Sequence, residues 1–290
     1  MSRGLYARGS MEPLVSITIP TRNSSKTLEA CLKAIASSTY SRLEVIVIDG
    51  FSIDGTAKIA ERYGAKVVTT DWGLLGARYL GFKEAKGDYV LLLDADQLLE
   101  PTAIERAVEL AERYDMLVFE ELSYRPRTLI ERLYTYDREL VHFIPSLDPL
   151  QGEVLPRFFK RWVLERAFNA IPSRALKEVV HFDHAIIYYE AYKVTKRVGV
   201  VPRALWHLET PSTRELVVKN IRYGSTLTSL MELKEYRRLL HRDSTIKKVL
   251  NRVKYGAKRG AKAVLGSIAL NLVKDYIVGL GLALKHLHLK

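Results

Sequence analysis

Tyr89-Val90-Leu91-Leu92-Leu93-Asp94-Ala95-Asp96 decides how this chain is read. An unbroken apolar run predicts a strand buried on both faces, as in a parallel sheet covered by helices. Two carboxylates, two residues apart, follow that strand directly. In open α/β sheets ligands bind at this place, outside the carboxyl ends of the strands. Hard oxygen ligands at this spacing suit Mg²⁺ or Mn²⁺ carrying phosphate oxygens. Acidic loop residues are common, so the pair is informative only with its neighbours.

The neighbours alternate. Residues 15–20, 43–49 and 66–69 read as strands. A helix from about Lys26 to Ser37, capped by Ser24 or Ser25, separates the first two. A second helix opens at Asp54-Gly55-Thr56 and stops at Gly64. Residues 73–86 run from a loop into a helix that ends at Gly87, and Pro101 marks another helix start. Strands alternating with helices predict right-handed βαβ units and a mostly parallel sheet flanked by helices, an α/β fold. Beyond Asp115 the pattern loosens. Residues 116–119 read as a strand, and 198–206 as a late strand interrupted by Pro202. Residues 142–160 hold three prolines and Gly152, which predicts a loop or lid.

A chain of 290 residues has room for one large domain, or for one domain and an appendage. Its single cysteine, Cys31, excludes a disulfide framework and fits a reducing compartment. The opening MSRGLYARGS lacks an apolar core and a cleavage site, so residues 1–11 read as an extension and not as a signal peptide. The net charge of +12 is concentrated at one end. Residues 215–290 carry 16 lysines and arginines against 5 acidic residues, while the rest is near neutral. Such a surface suits anionic lipid or nucleic acid. Nucleic acid is not expected, because Tyr223, Tyr236, Tyr255 and Tyr276 are too widely spaced for a stacking face. Uncharged stretches of the tail such as 264–273 and 276–284 are short of the about 20 residues that span a membrane. An interfacial helix is expected instead, with Leu265, Ile268, Leu272, Ile277, Leu280 and Leu284 towards lipid. Lys258, Arg259, Lys262 and Lys274 would stay in water.

The first hundred residues resemble the family 2 glycosyltransferases. VSITIPTRN (15–23) is similar to that family's opening strand and base-binding turn. VIVIDGFSIDGT (45–56) is similar to its second strand and acidic loop, usually written VIVVDDGSTDGT. GARYLGFKEAKGDYVLLLDAD (76–96) is similar to its arginine helix and DxD. The likeness is clear over residues 14–110 and weaker to about 210. It implies a GT-A (Rossmann-like) catalytic domain over residues 12–212, with a basic amphipathic helical appendage over 213–290.

The resemblance also implies roles. Pro20, Thr21 and Asn23 would meet a nucleobase, and Asp49 would accept a hydrogen bond from it. Asp54 has two readings, a family acidic position or a plain helix cap. Arg78 would pair with the diphosphate through its planar fork, or be a surface arginine. Asp96 would bind the metal, with Asp94 on the ribose or a metal-bound water. His207 matches a position near the diphosphate or metal, and Gln97 is an oxygen ligand or an ordinary loop residue. Asp183, in HFDHAIIYYEAYKVTKRVGVVPRALWHLE (181–209), matches the general base, although Phe182 stands where the family has Glu. The rival reading of Asp183 is a helix cap. Arg157 and Lys160, in an acceptor-side loop, would meet an acceptor phosphate, or be solvated. QxxRW, the mark of processive synthases, is absent, which favours transfer of one sugar.

The expected activity is therefore inverting transfer from a UDP- or GDP-sugar, with Mg²⁺ or Mn²⁺, to a lipid-linked or membrane-associated acceptor. The protein would sit peripherally on the cytoplasmic face of an anionic membrane. The alternative is a non-catalytic module that uses the basic tail to bind membrane or nucleic acid.

Overall fold

A computed structural model describes residues 12–142, 144, 146–209, 212–242 and 244–288. The expected extension, residues 1–11, lies outside the described residues. The strands are β1 (Val15–Thr21), β2 (Leu43–Asp49), β3 (Lys66–Thr69), β4 (Tyr89–Leu92), β5 (Gln97–Leu99), β6 (Met116–Ser123), β7 (Pro156–Lys160) and β8 (Val198–His207). The helices of the first half are α1 (Ser25–Ala36), α2 (Thr56–Arg62), α3 (Leu74–Glu84), α4 (Ala103–Leu110) and α5 (Leu129–Val141). Then come α6 (Arg161–Ala170), α7 (Ser173–Glu178), α8 (Asp183–Val194), α9 (Thr213–Glu232), α10 (Arg237–Arg242), α11 (Thr245–Gly256) and α12 (Ala261–His288).

One mixed sheet has the order β3-β2-β1-β4-β7-β6-β8-β5. β1 to β4 are mutually parallel, as the alternation requires. β7 then runs antiparallel between β4 and β6, and β8 returns parallel to β6. The apolar run of β4 faces both ways. Val90 and Leu92 pack under α3, α6 and α8, whereas Leu91 and Leu93 pack under α1 and α4. Each such side chain taken fully from water contributes about 1.5–3 kcal/mol.

Two expectations change. Residues 142–160 are not all loop, because Pro156–Lys160 is a central strand. Pro156 opens β7, where proline is tolerated. Pro202 likewise does not end β8: the β6–β8 ladder shifts register between Phe119 and Glu121, beside it.

Candidate active site

A cavity of about 730 Å³ opens at the carboxyl ends of β1 to β4. One wall contains Pro20, Thr21, Gly50, Phe51 and Trp72. Its other end holds Asp94, Asp96, Asp183, His184 and His207. Residues Lys219, Arg222, Tyr223 and Thr226 of α9 close it from the side.

The floor is a run of alternating charges. Arg78, 1% exposed, donates from Nε to Asp183 and from Nη2 to Asp94 Oδ1 (2.5 Å). Its Nη1 is buried without a partner among the described residues. Arg157 donates from Nη1 to Asp94 Oδ2 at 3.0 Å. The same nitrogen lies 3.0 Å from His184 Nε2, which must accept, since a guanidinium only donates. His207 Nε2 stands 3.5 Å from Asp96 Oδ1, and its Nδ1 3.5 Å from Glu209.

These contacts set the ionisation. Burial is the largest single influence on Asp183 and Asp94 and pushes their carboxyls up, but the opposing contacts, led by Arg78 and joined by Arg157 at Asp94, together hold both below the usual carboxylate range. Burial, then the guanidinium groups of Arg78 and Arg157, holds His184 below its ordinary range, so it is neutral. Lys219 is raised, first by Tyr223 and, against burial, by Asp96 and Asp94, so it remains a cation.

Asp183 opens α8 behind Phe182, which adopts a left-handed φ of 71°. No side chain caps that helix. The Asp183 carboxylate is thus turned to Arg78 and the cavity and does not act as a cap. Asp49 and Asn23 do not line the cavity. The Asp49 carboxylate accepts from Thr21 Oγ1 (2.8 Å), Ser52 N (2.8 Å) and Ser52 Oγ (2.6 Å). Asn23 Oδ1 accepts from Ile53 N at 3.0 Å, so both residues tie the loop after β1 to the loop after β2. Asp54 accepts from Ser25 N and Thr56 N, joining the starts of α1 and α2 beside the same two loops. Gln97 is buried, accepting from Asp94 N (2.9 Å) and donating to Glu121 (3.2 Å). Lys160 is at the other end of β7, paired with Asp115 at 2.9 Å.

The readings from sequence missed Phe51, Trp72 and the α9 residues. Phe51 had a signal: it stands at the glycine of VIVVDDGSTDGT, and it keeps a left-handed φ of 56°. Lys219 and Arg222 had none, because they belong to a tail read as basic surface.

Residues 16–139 match the family described as Glycosyl transferase family 2. Glycosyltransferase EpsH of Bacillus subtilis is 24% identical over 210 residues, covering 67% of this chain and 60% of its own length. The chain therefore spans about three-fifths of that relative. Mannosyltransferase PcManGT from Pyrobaculum calidifontis, solved with GDP-Man and Mn²⁺, superposes with a TM-score of 0.59 at 17% identity, over 96% of this chain and 88% of its own. S. aureus TarS 1–349, solved with UDP, superposes with a TM-score of 0.52 at 15% identity, over 91% of each chain. The fold is that of the GT-A glycosyltransferases. Residues 16–139 are thus similar to the Glycosyl transferase family 2 domain, on a GT-A fold.

Proposed function

We propose that this chain moves one sugar, with inversion, from a nucleoside-diphosphate sugar to an acceptor held at a membrane. The observation that carries the reading is the meeting of Asp94, Asp96, Asp183 and His207 in one cavity with the cations of α9. The base would rest between Pro20, Phe51 and Trp72. The nucleotide would be UDP or GDP, in keeping with the neighbours solved with UDP and with GDP-Man. Lys219 and Arg222 suit the diphosphate better than Arg78, whose guanidinium is already taken by Asp94 and Asp183.

A divalent cation fits the residues present. Asp96 and His207 face each other, and among the described residues no group of three or more His, Cys, Asp and Glu side chains is placed to hold an ion alone. So short a protein donor set suits Mg²⁺ or Mn²⁺ that takes further ligands from substrate phosphates. Asp96 and His207 would hold it, with Asp94 beside them. When bound, it supplies positive charge to the leaving diphosphate.

Asp183 is ionised and able to take a proton. It would remove the acceptor hydroxyl proton as that oxygen bonds to the sugar's anomeric carbon. The bond from that carbon to the phosphate oxygen breaks, and its electron pair leaves on the diphosphate. Neutral His184 beside Asp183 adds no competing cation.

The acceptor's location rests on α12. The uncharged stretches 264–273 and 276–284 belong to one helix, and Lys274 and Asp275 between them leave its outer stripe. Asp275 bonds to Thr245 at 2.7 Å, and Lys274 lies over the Tyr134 ring. The exposed stripe is Leu265, Ala269, Leu272, Val273, Tyr276, Leu280 and Leu284, about 28 Å long at 1.5 Å per residue. Ile277 is buried against the protein and Ile268 partly so, correcting their expected lipid-facing place. Lys274 is likewise half-buried and not in water. Residues 261–285 are long and apolar enough to cross a membrane. Packing of α12 on α9 and α5 favours an interfacial position instead. Exposed Lys254, Lys258, Arg259 and Lys262 lie at its start and suit an anionic surface.

The test is nucleotide release from a panel of sugar nucleotides, with Mn²⁺ and a membrane extract. Asp183→Asn should lower kcat by roughly 10²–10⁴-fold, the usual worth of a general base. Failure to cleave any donor would reject the reading, and an unimpaired Asp183→Asn would remove the base assignment.

A further inference from the structure

We propose that Arg138, on α5, is a positioning residue that holds both carboxylates of Asp94-Ala95-Asp96. Two lines of contacts leave its guanidinium. One runs from Nη1 to Glu121 Oε2. Glu121 Oε1 accepts from Arg157 Nε at 2.5 Å, and Arg157 Nη1 donates to Asp94 Oδ2 at 3.0 Å. Glu121 Oε1 also accepts from Gln97 Nε2 at 3.2 Å, and Gln97 Oε1 takes the backbone N–H of Asp94 at 2.9 Å. The other line leaves from Nε and Nη2 to the two oxygens of Glu209, at 2.7 and 3.1 Å. Glu209 Oε2 stands 3.5 Å from His207 Nδ1, and His207 Nε2 stands 3.5 Å from Asp96.

Arg138 is thus where the support of Asp94 meets the support of Asp96. A planar guanidinium that grips one carboxylate with two nitrogens and a second with its third fixes the angle between them. Lysine, a point charge, keeps the attraction and loses the angle. Arg138 does not line the substrate cavity and has no access to the reacting atoms. It lines a separate cavity of about 270 Å³ beside α5. Its chain neighbour faces a different network: Asp137 Oδ1 accepts from Arg252 Nη2 (2.9 Å), Ser267 Oγ (2.6 Å) and Asn271 Nδ2 (2.7 Å) of α11 and α12. Consecutive residues of one helix therefore bind the C-terminal helices and the site, and the two roles are separable by mutation.

The inference rests on the sugar-transfer reading. Arg138→Ala, Arg138→Lys and Asp137→Asn are compared with the parent chain by thermal unfolding, by Mn²⁺ binding followed by EPR with UDP or GDP, and by donor turnover. Arg138→Ala is expected to weaken Mn²⁺ binding and to lower kcat by roughly 10–100-fold each, the usual cost of losing a group behind a metal ligand. Added guanidinium ion restores part of both, and Arg138→Lys falls between. Asp137→Asn is expected to lower the unfolding temperature at least as much, with Mn²⁺ binding near that of the parent. Arg138→Lys carries the comparison if Arg138→Ala does not fold. Parent-like Mn²⁺ binding and turnover in the Arg138 variants overturns the proposal. So does Asp137→Asn with the same losses, which would make Arg138 a stability residue. A parent chain that neither binds Mn²⁺ with these nucleotides nor cleaves a donor overturns the sugar-transfer reading, and the positioning role with it.

Discussion

Phe51 keeps a left-handed φ of 56°, a region that suits glycine and costs a bulky side chain about 1–3 kcal/mol. Phe51 is 63% exposed, on the cavity rim. Strain retained beside a ligand cavity fits a ring that stacks on the nucleobase. Phe51→Gly is expected to raise the unfolding temperature and to weaken UDP or GDP binding by about 1–3 kcal/mol, the worth of one stacked base. Calorimetric titration checks this, and unchanged affinity would exclude the platform role. Buried imidazoles set a second residue-scale expectation. Burial holds His142 and His184 below the ordinary 6.5, so the unfolded chain binds their protons more tightly. Their contribution to stability is complete above 6.5 and is lost as pH falls below it. Glu121 is held at about 2 against an ordinary 4.5, mainly by Arg157 and Arg138 acting against burial. It adds a further loss from about 4.5 downwards. Unfolding midpoints that stay level between about pH 7.5 and 5.5 would contradict the histidine part.

At the scale of elements, the crossing of α9 and α12 matters most. A Cβ on Gly224 would lie 2.0 Å from Val278 O, and one on Gly281 would lie 2.2 Å from Ile221 O. The two helices touch backbone to backbone there, and only glycine allows it. Because α9 also carries Lys219, Arg222 and Tyr223, this contact sets how deeply those side chains enter the cavity. Gly224→Ala is expected to cost about 1–3 kcal/mol and to raise the donor KM. Gly279→Ala is the control: its Cβ meets nothing within 4 Å, and it should be neutral or stabilising by about 0.5–1 kcal/mol. Equal effects from the two substitutions would mean that the close approach is unimportant.

For the whole molecule, the proposed docking of α12 on a membrane is tested on its outward stripe. Leu272→Glu with Leu280→Glu puts two charges into the exposed stripe and leaves the buried side intact. The pair is expected to abolish co-sedimentation with anionic liposomes while turnover of a soluble acceptor persists. Retained binding would remove α12 as the docking face. Raised salt should weaken the parent's binding, since each basic residue near an anionic surface contributes about 1 kcal/mol and is screened. Deleting residues 245–290 would be a poorer test, because α12 covers α9 and α5 and Asp137 would lose Arg252.

The sequence by itself determined the strands β1 to β4, the helices between them and the position of Asp94 and Asp96 at a strand end. These are local properties, set by apolar runs, caps and glycine stops within a few residues. It also marked Asp183 and His207 as residues to watch, but not that Arg78 ties Asp183 to Asp94. Only the tertiary structure decided that Arg78 is buried between two carboxylates, that Asp49 braces a turn and that α9 closes the cavity. It alone turned Lys274 and Asp275 inward, so that a helix with charges in its sequence shows an uncharged outer stripe. The physical reason is range: pairing of residues 105 apart, such as Arg78 and Asp183, leaves no period or motif in the chain, and appears only when the sheet brings its strand ends together.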